Sequence, residues 1–126
     1  MGHSVLIVDD SEFARADLKA VLEEKGFQVL EADTGAECCD MVKNNSFDAI
    51  FLDYNMPVMN GMDALKRMAN ENSRGSALVF MMTTETNPDL KNLGKQLGLN
   101  GWIVKPVDIN QVAQFLVQKL TGGQVA

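Results

Sequence analysis

The segment VLIVDD, residues 5–10, begins a pattern that the rest of the chain repeats. Its four apolar residues have no polar residue between them, which is typical of a parallel strand covered on both faces. A helical-period segment follows from about Glu12 to Lys25 and ends at Gly26, a common helix stop. The predicted core face of this helix carries Phe13, Leu18, Val21 and Leu22.

Four further apolar runs predict strands at 27–31, 49–52, 77–82 and 102–104. A helical-period segment follows each run, and the predicted helices span 34–44, a stretch from 61, 88–97 and 108–120. Thr34 and Glu37 have the spacing of a capping box, and Pro88 suits the first turn of a helix. Strict alternation predicts an α/β fold, a doubly wound parallel sheet of (βα)5 type in one domain over residues 4–121, with a short tail at 122–126.

The composition excludes several classes of function. The chain has 126 residues, of which 46% are hydrophobic and 22% charged, as in one globular domain. Its net charge of -6 argues against binding to nucleic acid or to anionic membranes, since both need a positive surface. The longest apolar run, 77–82, is far shorter than the ~20 residues of a membrane-spanning helix. With no secretory signal and only Cys38 and Cys39 as thiols, we expect a reducing, cytoplasmic setting.

Polar side chains follow four of the predicted strands. In chain order they are Asp9, Asp10, Asp53, Thr83, Thr84 and Lys105. Ligands of an open parallel sheet bind beyond the carboxyl ends of its strands. We therefore expect these scattered residues to meet in one pocket, although Asp9 and Asp10 taken alone would equally suit a helix N-cap.

Three carboxylates in one pocket would repel each other. Two charges ~5 Å apart at an effective dielectric constant of ~20 repel by roughly 3 kcal/mol. A divalent cation removes this conflict, and Mg²⁺ suits a site that offers a few oxygens and leaves room for water. Together with Lys105 and Thr83 it would hold a phosphoryl group, which the carboxylate of Asp53 could attack.

These residues match a known family. The chain resembles the receiver domain of two-component response regulators, especially the single-domain type used in chemotaxis. The matching motifs are VLIVDD at 5–10, LDYNMP at 52–57, MNG at 59–61, Thr83, and VKP at 104–106. The resemblance covers residues 4–120 and implies a flavodoxin-like sheet with the strand order 2-1-3-4-5. It also implies a cis peptide bond before Pro106, which is frequent in the family.

The resemblance implies a role for each residue of the pocket. Asp53 would accept the phosphoryl group from the phosphohistidine of a sensor kinase or phosphotransfer protein. Asp10, Asp53 and the backbone carbonyl of Asn55 would bind Mg²⁺ directly, and Asp9 would hold it through water. Lys105 would pair with the phosphoryl oxygens.

Other residues would transmit or tune the signal. Thr83 would turn its hydroxyl onto the phosphoryl group and free space for the aromatic residue of the fifth strand, which is Trp102 where the family usually has Tyr or Phe. Asn55 and Glu85 match positions that tune self-dephosphorylation, and their identities favour a short-lived phosphoryl group. Thr84 is larger than the Ala or Gly common at its position and favours a longer life, so the sequence leaves the lifetime open.

The leading hypothesis is a phosphorylation-activated signalling switch that acts through protein binding. The changed surface would be the fourth helix, fifth strand and fifth helix. Candidate output partners are a flagellar motor, a kinase complex and the next protein of a phosphorelay. We expect self-phosphorylation and self-dephosphorylation, without turnover of an external substrate.

The sequence is also compatible, to different degrees, with three alternatives. The chain could be a receiver domain excised from a hybrid kinase or a DNA-binding regulator, and nothing in the sequence excludes this. A Mg²⁺-dependent phosphatase is disfavoured, because Asn55 stands where such enzymes carry a second Asp. A flavodoxin-like redox carrier is also disfavoured, since Asp9 and Asp10 would repel the phosphate of a flavin.

Overall fold

The computed structural model describes residues 2–122, which form five parallel strands and five helices in strict alternation. The strands are β1 (Ser4–Val8), β2 (Gln28–Ala32), β3 (Ala49–Asp53), β4 (Leu78–Thr83) and β5 (Gly101–Val104). The helices are α1 (Glu12–Glu24), α2 (Gly35–Asn44), α3 (Gly61–Glu71), α4 (Pro88–Gln96) and α5 (Ile109–Thr121). The strand order β2-β1-β3-β4-β5 confirms the predicted fold class. Residues 123–126 of the predicted tail lie outside the described residues.

Strand β1 lies inside the sheet between β2 and β3 and is apolar from Val5 to Val8, because the sheet has a core on each face. Leu6 and Val8 belong to the core that includes residues of α2 and α3. Val5 and Ile7 belong to the core that includes residues of α1 and α5. Successive strand residues point to opposite faces, so a strand with helices on both sides needs apolar side chains at every position. This explains the absence of polar alternation in VLIV.

Polar caps fix where the helices begin. The hydroxyl of Thr34 accepts a hydrogen bond from the backbone N–H of Glu37 at 3.0 Å, as its spacing predicts. The carboxylate of Glu37, however, accepts from the N–H of Asp33 rather than from that of Thr34. A complete capping box occurs instead at α3, where Asn60 and Asp63 each accept the other's backbone N–H. Pro88 is the first residue of α4, as predicted.

The prediction that Phe13 lies on the core face of α1 is wrong. Its side chain is 86% exposed, whereas Leu18 and Leu22 are buried. At about 100° per residue, Phe13 lies about 140° around the helix from Leu18 and opposite Leu22. Leu18 and Leu22, one turn apart, define the buried face, and Phe13 points to solvent.

Helix α4 is the least buried of the helices in the described chain. Its only buried residue is Gly94, while Leu90, Leu93 and Leu97 pack against the core at its edge. Beyond the helix, the guanidinium of Arg74 donates hydrogen bonds to the carbonyls of Ala77 and Gly98 and to Oδ1 of Asn100. These bonds anchor the segment that follows the C-terminal end of α4.

None of the helices within residues 2–122 has the length and apolar character needed to cross a lipid bilayer.

Val58 lies in the loop between β3 and α3, with a φ of 68° and a fully exposed side chain. A β-branched residue is rare in this left-handed region, which costs about 1–2 kcal/mol. The extra chain entropy that glycine loses on folding is about 0.5–1 kcal/mol. We therefore expect Val58→Gly to raise the free energy of unfolding by roughly 0.5–1 kcal/mol, measured by urea denaturation.

Asn72→Gly is the matched control for this experiment. Asn72 also has a positive φ, 50°, at the C-cap of α3, but Asn tolerates this conformation well. We expect no gain in the free energy of unfolding from this variant. An equal gain in both variants would show that Val58 is not strained.

Candidate functional site

Three carboxylates meet at the carboxyl-terminal edge of the sheet. Asp9 and Asp10 directly follow β1, and Asp53 is the last residue of the neighbouring strand β3. Each carboxylate offers one oxygen atom, and these atoms lie within 4.8 Å of one another. Asp9 and Asp53 are buried, whereas Asp10 is exposed. The arrangement has the charge and the open side that a hydrated cation needs.

Lys105 supplies a positive charge to this cluster. Its Nζ atom lies 2.7 Å from Oδ1 of Asp53 and 3.7 Å from Oδ2 of Asp9. The backbone N–H of Lys105 donates to the carbonyl of Thr83, which fixes the end of β5 against β4. The peptide bond between Lys105 and Pro106 is cis, as the resemblance implied. Lys105 therefore reaches the pocket from a firmly held strand end.

One ammonium group does not neutralise three acids. Burial raises the pKa of Asp53, and the negative charges of Asp9 and Asp10 add to this effect. The hydrogen bond and charge of Lys105 act in the opposite direction but do not cancel it, so the pKa of Asp53 lies above its ordinary value. Burial lowers the pKa of Lys105, but its hydrogen bond to Asp53 and the negative charges of Asp53, Asp9 and Asp10 together outweigh this and raise the pKa overall. The pocket keeps an excess of negative charge.

Gly61 allows the loop after Asp53 to close. Its backbone N–H donates to the carbonyl of Tyr54 at 3.0 Å. A Cβ atom at Gly61 would lie 2.6 Å from the backbone carbonyl oxygen of Asp53 and 2.6 Å from Sδ of Met81. No real Cβ atom tolerates such contacts, so a side chain at this position would displace Asp53. The position of Asp53 thus explains why the MNG motif at 59–61 ends in a glycine.

Thr83 and Trp102 are linked through the backbone of a single residue. Thr83 is fully buried, and its Oγ1 accepts a hydrogen bond from the N–H of Glu85 at 2.9 Å. The indole Nε1 of Trp102 donates to the carbonyl of the same Glu85 at 3.0 Å. Trp102 is partly buried and packs against the core on the α3 side of the sheet. The predicted switch residues are therefore physically connected.

The residues expected to tune dephosphorylation lie in two loops that follow strands of the site. Asn55 lies in the loop after β3, and Thr84 and Glu85 lie in the loop after β4. The structure leaves all three exposed, so their side chains are accessible to solvent.

Sequence reasoning missed Arg15. Its guanidinium Nη1 donates a hydrogen bond to the backbone carbonyl of Asp9, and its Nε donates to Glu31 on β2. The available signal was a cation at the fourth residue of α1, five positions after Asp10, with Lys19 one turn further along. Nothing in the sequence showed that the backbone of Asp9 would be its acceptor.

A family model described as the response regulator receiver domain matches residues 5–117. The chain belongs to this family. The receiver domain is 35% identical over 117 residues to the chemotaxis protein CheY of Pseudomonas aeruginosa, with 92% of this chain and 91% of that protein covered. The earlier resemblance to two-component response regulators is thereby confirmed.

Solved structures show the same fold. CheY4 of Vibrio cholerae superposes with a TM-score of 0.86 at 34% sequence identity, covering 95% of this chain and all of that one. The receiver domain of a sensor histidine kinase from Pseudomonas aeruginosa superposes with a TM-score of 0.82 at 21% identity, covering 97% of this chain and 99% of that one. That structure holds a magnesium ion in its active-site cleft. Because only 21% of the residues are identical, the similarity to this sensor-kinase receiver domain shows the fold alone.

The raised pKa of Asp53 predicts how stability depends on pH. A carboxyl whose pKa is higher in the folded than in the unfolded state contributes stability at low pH, which is lost as the pH rises through the folded value. We expect Asp53→Asn, measured in a metal chelator, to raise the Tm near pH 7, because the amide removes the unfavourable charge and its oxygen still accepts from Lys105. The gain should shrink as the pH falls towards about 4.

Glu24→Gln is the control for this experiment, since it removes one negative charge at an exposed position near the end of α1. We expect its effect on Tm to be small and nearly independent of pH. A constant gain across the pH range in Asp53→Asn would contradict the electrostatic origin of the effect.

Proposed function

We propose that this receiver domain is a signalling switch that accepts a phosphoryl group on Asp53. The observation that carries the proposal is the Asp53 carboxylate itself. It is 2% exposed, lies 2.7 Å from an ammonium group and shares its pocket with two more carboxylates. Receiver domains interact with histidine kinases or histidine phosphotransfer proteins, which supply the phosphoryl group.

The donor set of the pocket fits Mg²⁺. The three carboxylates are hard oxygen ligands, their charge exceeds what Lys105 neutralises, and the exposed side of Asp10 leaves room for water. In this proposal Asp10, Asp53 and the carbonyl of Asn55 bind the ion directly, and Asp9 binds it through water. The magnesium ion in the related sensor-kinase receiver supports the choice of metal. When bound, the ion neutralises charge on the phosphoryl oxygens.

Transfer requires few covalent changes. A carboxylate oxygen of Asp53 forms a bond to phosphorus, while the bond between phosphorus and the imidazole nitrogen breaks and its electron pair leaves with the imidazole. Lys105 exchanges its contact with Asp53 for the incoming phosphoryl oxygens. The later loss of the phosphoryl group to water returns Asp53 to its starting form. The protein thus mainly supplies position and charge.

Intact mass spectrometry tests the acceptor. After incubation with Mg²⁺ and a small acyl phosphate, we expect the wild type to gain one phosphoryl group and Asp53→Asn to gain none. Glu24→Gln, the control used above, should gain the group like the wild type. A phosphoryl group on Asp53→Asn, or none on a wild type that still binds Mg²⁺, would refute the proposal.

The decay of the same signal tests the tuning residues. Thr84 is exposed and follows the buried Thr83, and in this proposal its side chain limits the access of water to the phosphoryl group. We expect Thr84→Ala to shorten the life of the phosphoryl group, since a smaller side chain admits water more freely. If the decay is unchanged in Thr84→Ala, the lifetime of the phosphoryl group is set by Asn55 and Glu85 rather than by Thr84.

The switch itself acts through the backbone of Glu85. The Thr83 hydroxyl that turns towards the phosphoryl group is the same atom that now accepts from the N–H of Glu85. Its rotation releases that N–H and allows the loop to shift. The carbonyl of Glu85, which holds the indole of Trp102, shifts with it. The N-terminal end of α4 comes shortly after Glu85 in the chain, and α4 is weakly buried. The shift therefore reaches the surface formed by α4, β5 and α5.

Trp102 is the only tryptophan, so its fluorescence reports this change. We expect phosphorylation to alter the emission of the wild type and of Thr83→Ser, which keeps the hydroxyl. In Thr83→Ala we expect the protein to take up the phosphoryl group with most of the emission change lost. A full emission change in Thr83→Ala would show that the change at Trp102 does not depend on Thr83.

The output is proposed to be binding of a protein to the surface formed by α4, β5 and α5. Lys91, Lys95 and Trp102 line one groove on this surface. The chemotaxis proteins among the relatives make a flagellar motor component the first partner to test, with the protein acting in the cytoplasm.

A further inference from the structure

We propose that Arg15 is a positioning residue for the metal site. It holds the peptide bond between Asp9 and Asp10 in the orientation that aims the Asp10 carboxylate at the cation, and Glu31 holds Arg15 in turn. This inference rests on the proposed Mg²⁺-dependent function and adds to it two residues outside the acidic cluster.

Arg15 is built into the fold rather than lying on its surface. Its side chain is 14% exposed, and its two donors serve two different acceptors. Nη1 donates to the backbone carbonyl of Asp9, and Nε donates to Oε1 of Glu31 at 3.0 Å. Buried guanidinium groups need such partners, and the rigid fork of donors fixes the distance between the two acceptors.

The backbone at Asp9 is held from both sides. Its N–H donates to the carbonyl of Ala32 on β2 at 3.1 Å, and its carbonyl accepts from Arg15. Its side chain is held as well, since Oδ1 accepts from the N–H of Ser11 at 2.8 Å. The sheet therefore holds the peptide bond that precedes Asp9, and Arg15 holds the peptide bond that follows it.

Asp10 depends on that peptide bond. Its side chain is exposed, unlike those of Asp9 and Asp53, so packing does not fix its direction. Rotation of the preceding peptide would swing the Asp10 carboxylate away from its two neighbours. The bond from Arg15 to the Asp9 carbonyl opposes this rotation.

Glu31 keeps Arg15 in place. Its carboxylate accepts from Nε of Arg15 and from Nζ of Lys19, the latter at 3.2 Å. Burial alone would raise the pKa of Glu31, but the hydrogen bonds from both cations outweigh it and lower the pKa. Glu31, on β2, therefore remains ionised and keeps Arg15 directed at the backbone carbonyl of Asp9.

Charge and geometry predict opposite effects at this site. A guanidinium close to a cation site repels the cation, so its removal would tighten Mg²⁺ binding if charge alone mattered. Loss of the positioning bond would instead weaken binding, as does the loss of groups that orient metal ligands in other proteins. The sign of the change therefore separates the two effects.

The experiment is a calorimetric titration of each full-length variant with Mg²⁺, repeated with Mn²⁺ by electron paramagnetic resonance. We expect Arg15→Met to raise the dissociation constant about 10-fold. Arg15→Lys keeps the charge but cannot reach both acceptors, so we expect it to weaken binding in the same direction. Lys19→Met is the matched control: it removes one positive charge from Glu31 without touching Asp9, and its dissociation constant should stay within about twofold of the wild type.

A second readout separates positioning from general damage. At saturating Mg²⁺ we expect Arg15→Met to accept the phosphoryl group from an acyl phosphate at close to the wild-type rate, because the bound ion itself holds Asp10. If Arg15→Met does not fold, Glu31→Gln keeps an acceptor for Arg15 but weakens it, and it should raise the dissociation constant by a smaller factor.

The outcomes are distinguishable. Equal or tighter Mg²⁺ binding by Arg15→Met, or an equal loss in Lys19→Met, overturns the inference and leaves the proposed function intact. A wild type that binds no Mg²⁺ overturns both. Weaker binding in both Arg15 variants, with the rate restored at saturating Mg²⁺, supports the positioning role.

Discussion

The repulsion among Asp9, Asp10 and Asp53 is the constraint to which the rest of the site responds. Their carboxylate oxygens lie within 4.8 Å of one another, and burial strengthens the repulsion because it removes the screening of water. Lys105 opposes it at 2.7 Å from Asp53 but leaves a net negative charge. The pocket is therefore suited to bind a cation, and in the proposed function the cation and Lys105 share the charge of the phosphoryl group.

The sheet makes this concentration of charge possible. The apolar strands β1 and β3 pack into a core on each face, and the acids stand only at their carboxyl ends. The hydrophobic stabilisation of two cores offsets the electrostatic cost of the site. Gly61 and Arg15 act more locally, the first by leaving space beside Asp53 and the second by holding the backbone of Asp9. The apolar residues of these strands thus stabilise the fold, and the acids at their carboxyl ends form the candidate site.

Most of the fold could be predicted from the chain because its signals are local. An uninterrupted apolar run predicts a doubly covered strand, and Pro88 and Thr34 marked helix starts that the structure confirms. The errors occurred where a local signal competed with a stronger one. The hydrophobicity of Phe13 predicts a core position, but Leu18 and Leu22 define the buried face and Phe13 is exposed. Glu37 has capping-box spacing, yet its carboxylate takes the N–H of Asp33 instead.

The residues of the candidate site are recognisable in the sequence, since the acids, Thr83 and Lys105 follow the strands whose ends must share one edge. The contacts that hold these residues in place are visible only in the folded chain. The bond from Arg15 to the Asp9 carbonyl and the path from Thr83 through Glu85 to Trp102 both use backbone atoms. Every residue carries the same backbone donors and acceptors, so residue type does not show which of them will meet. Their pairing follows from the packing of α1 against the sheet and from the pairing of β5 with β4.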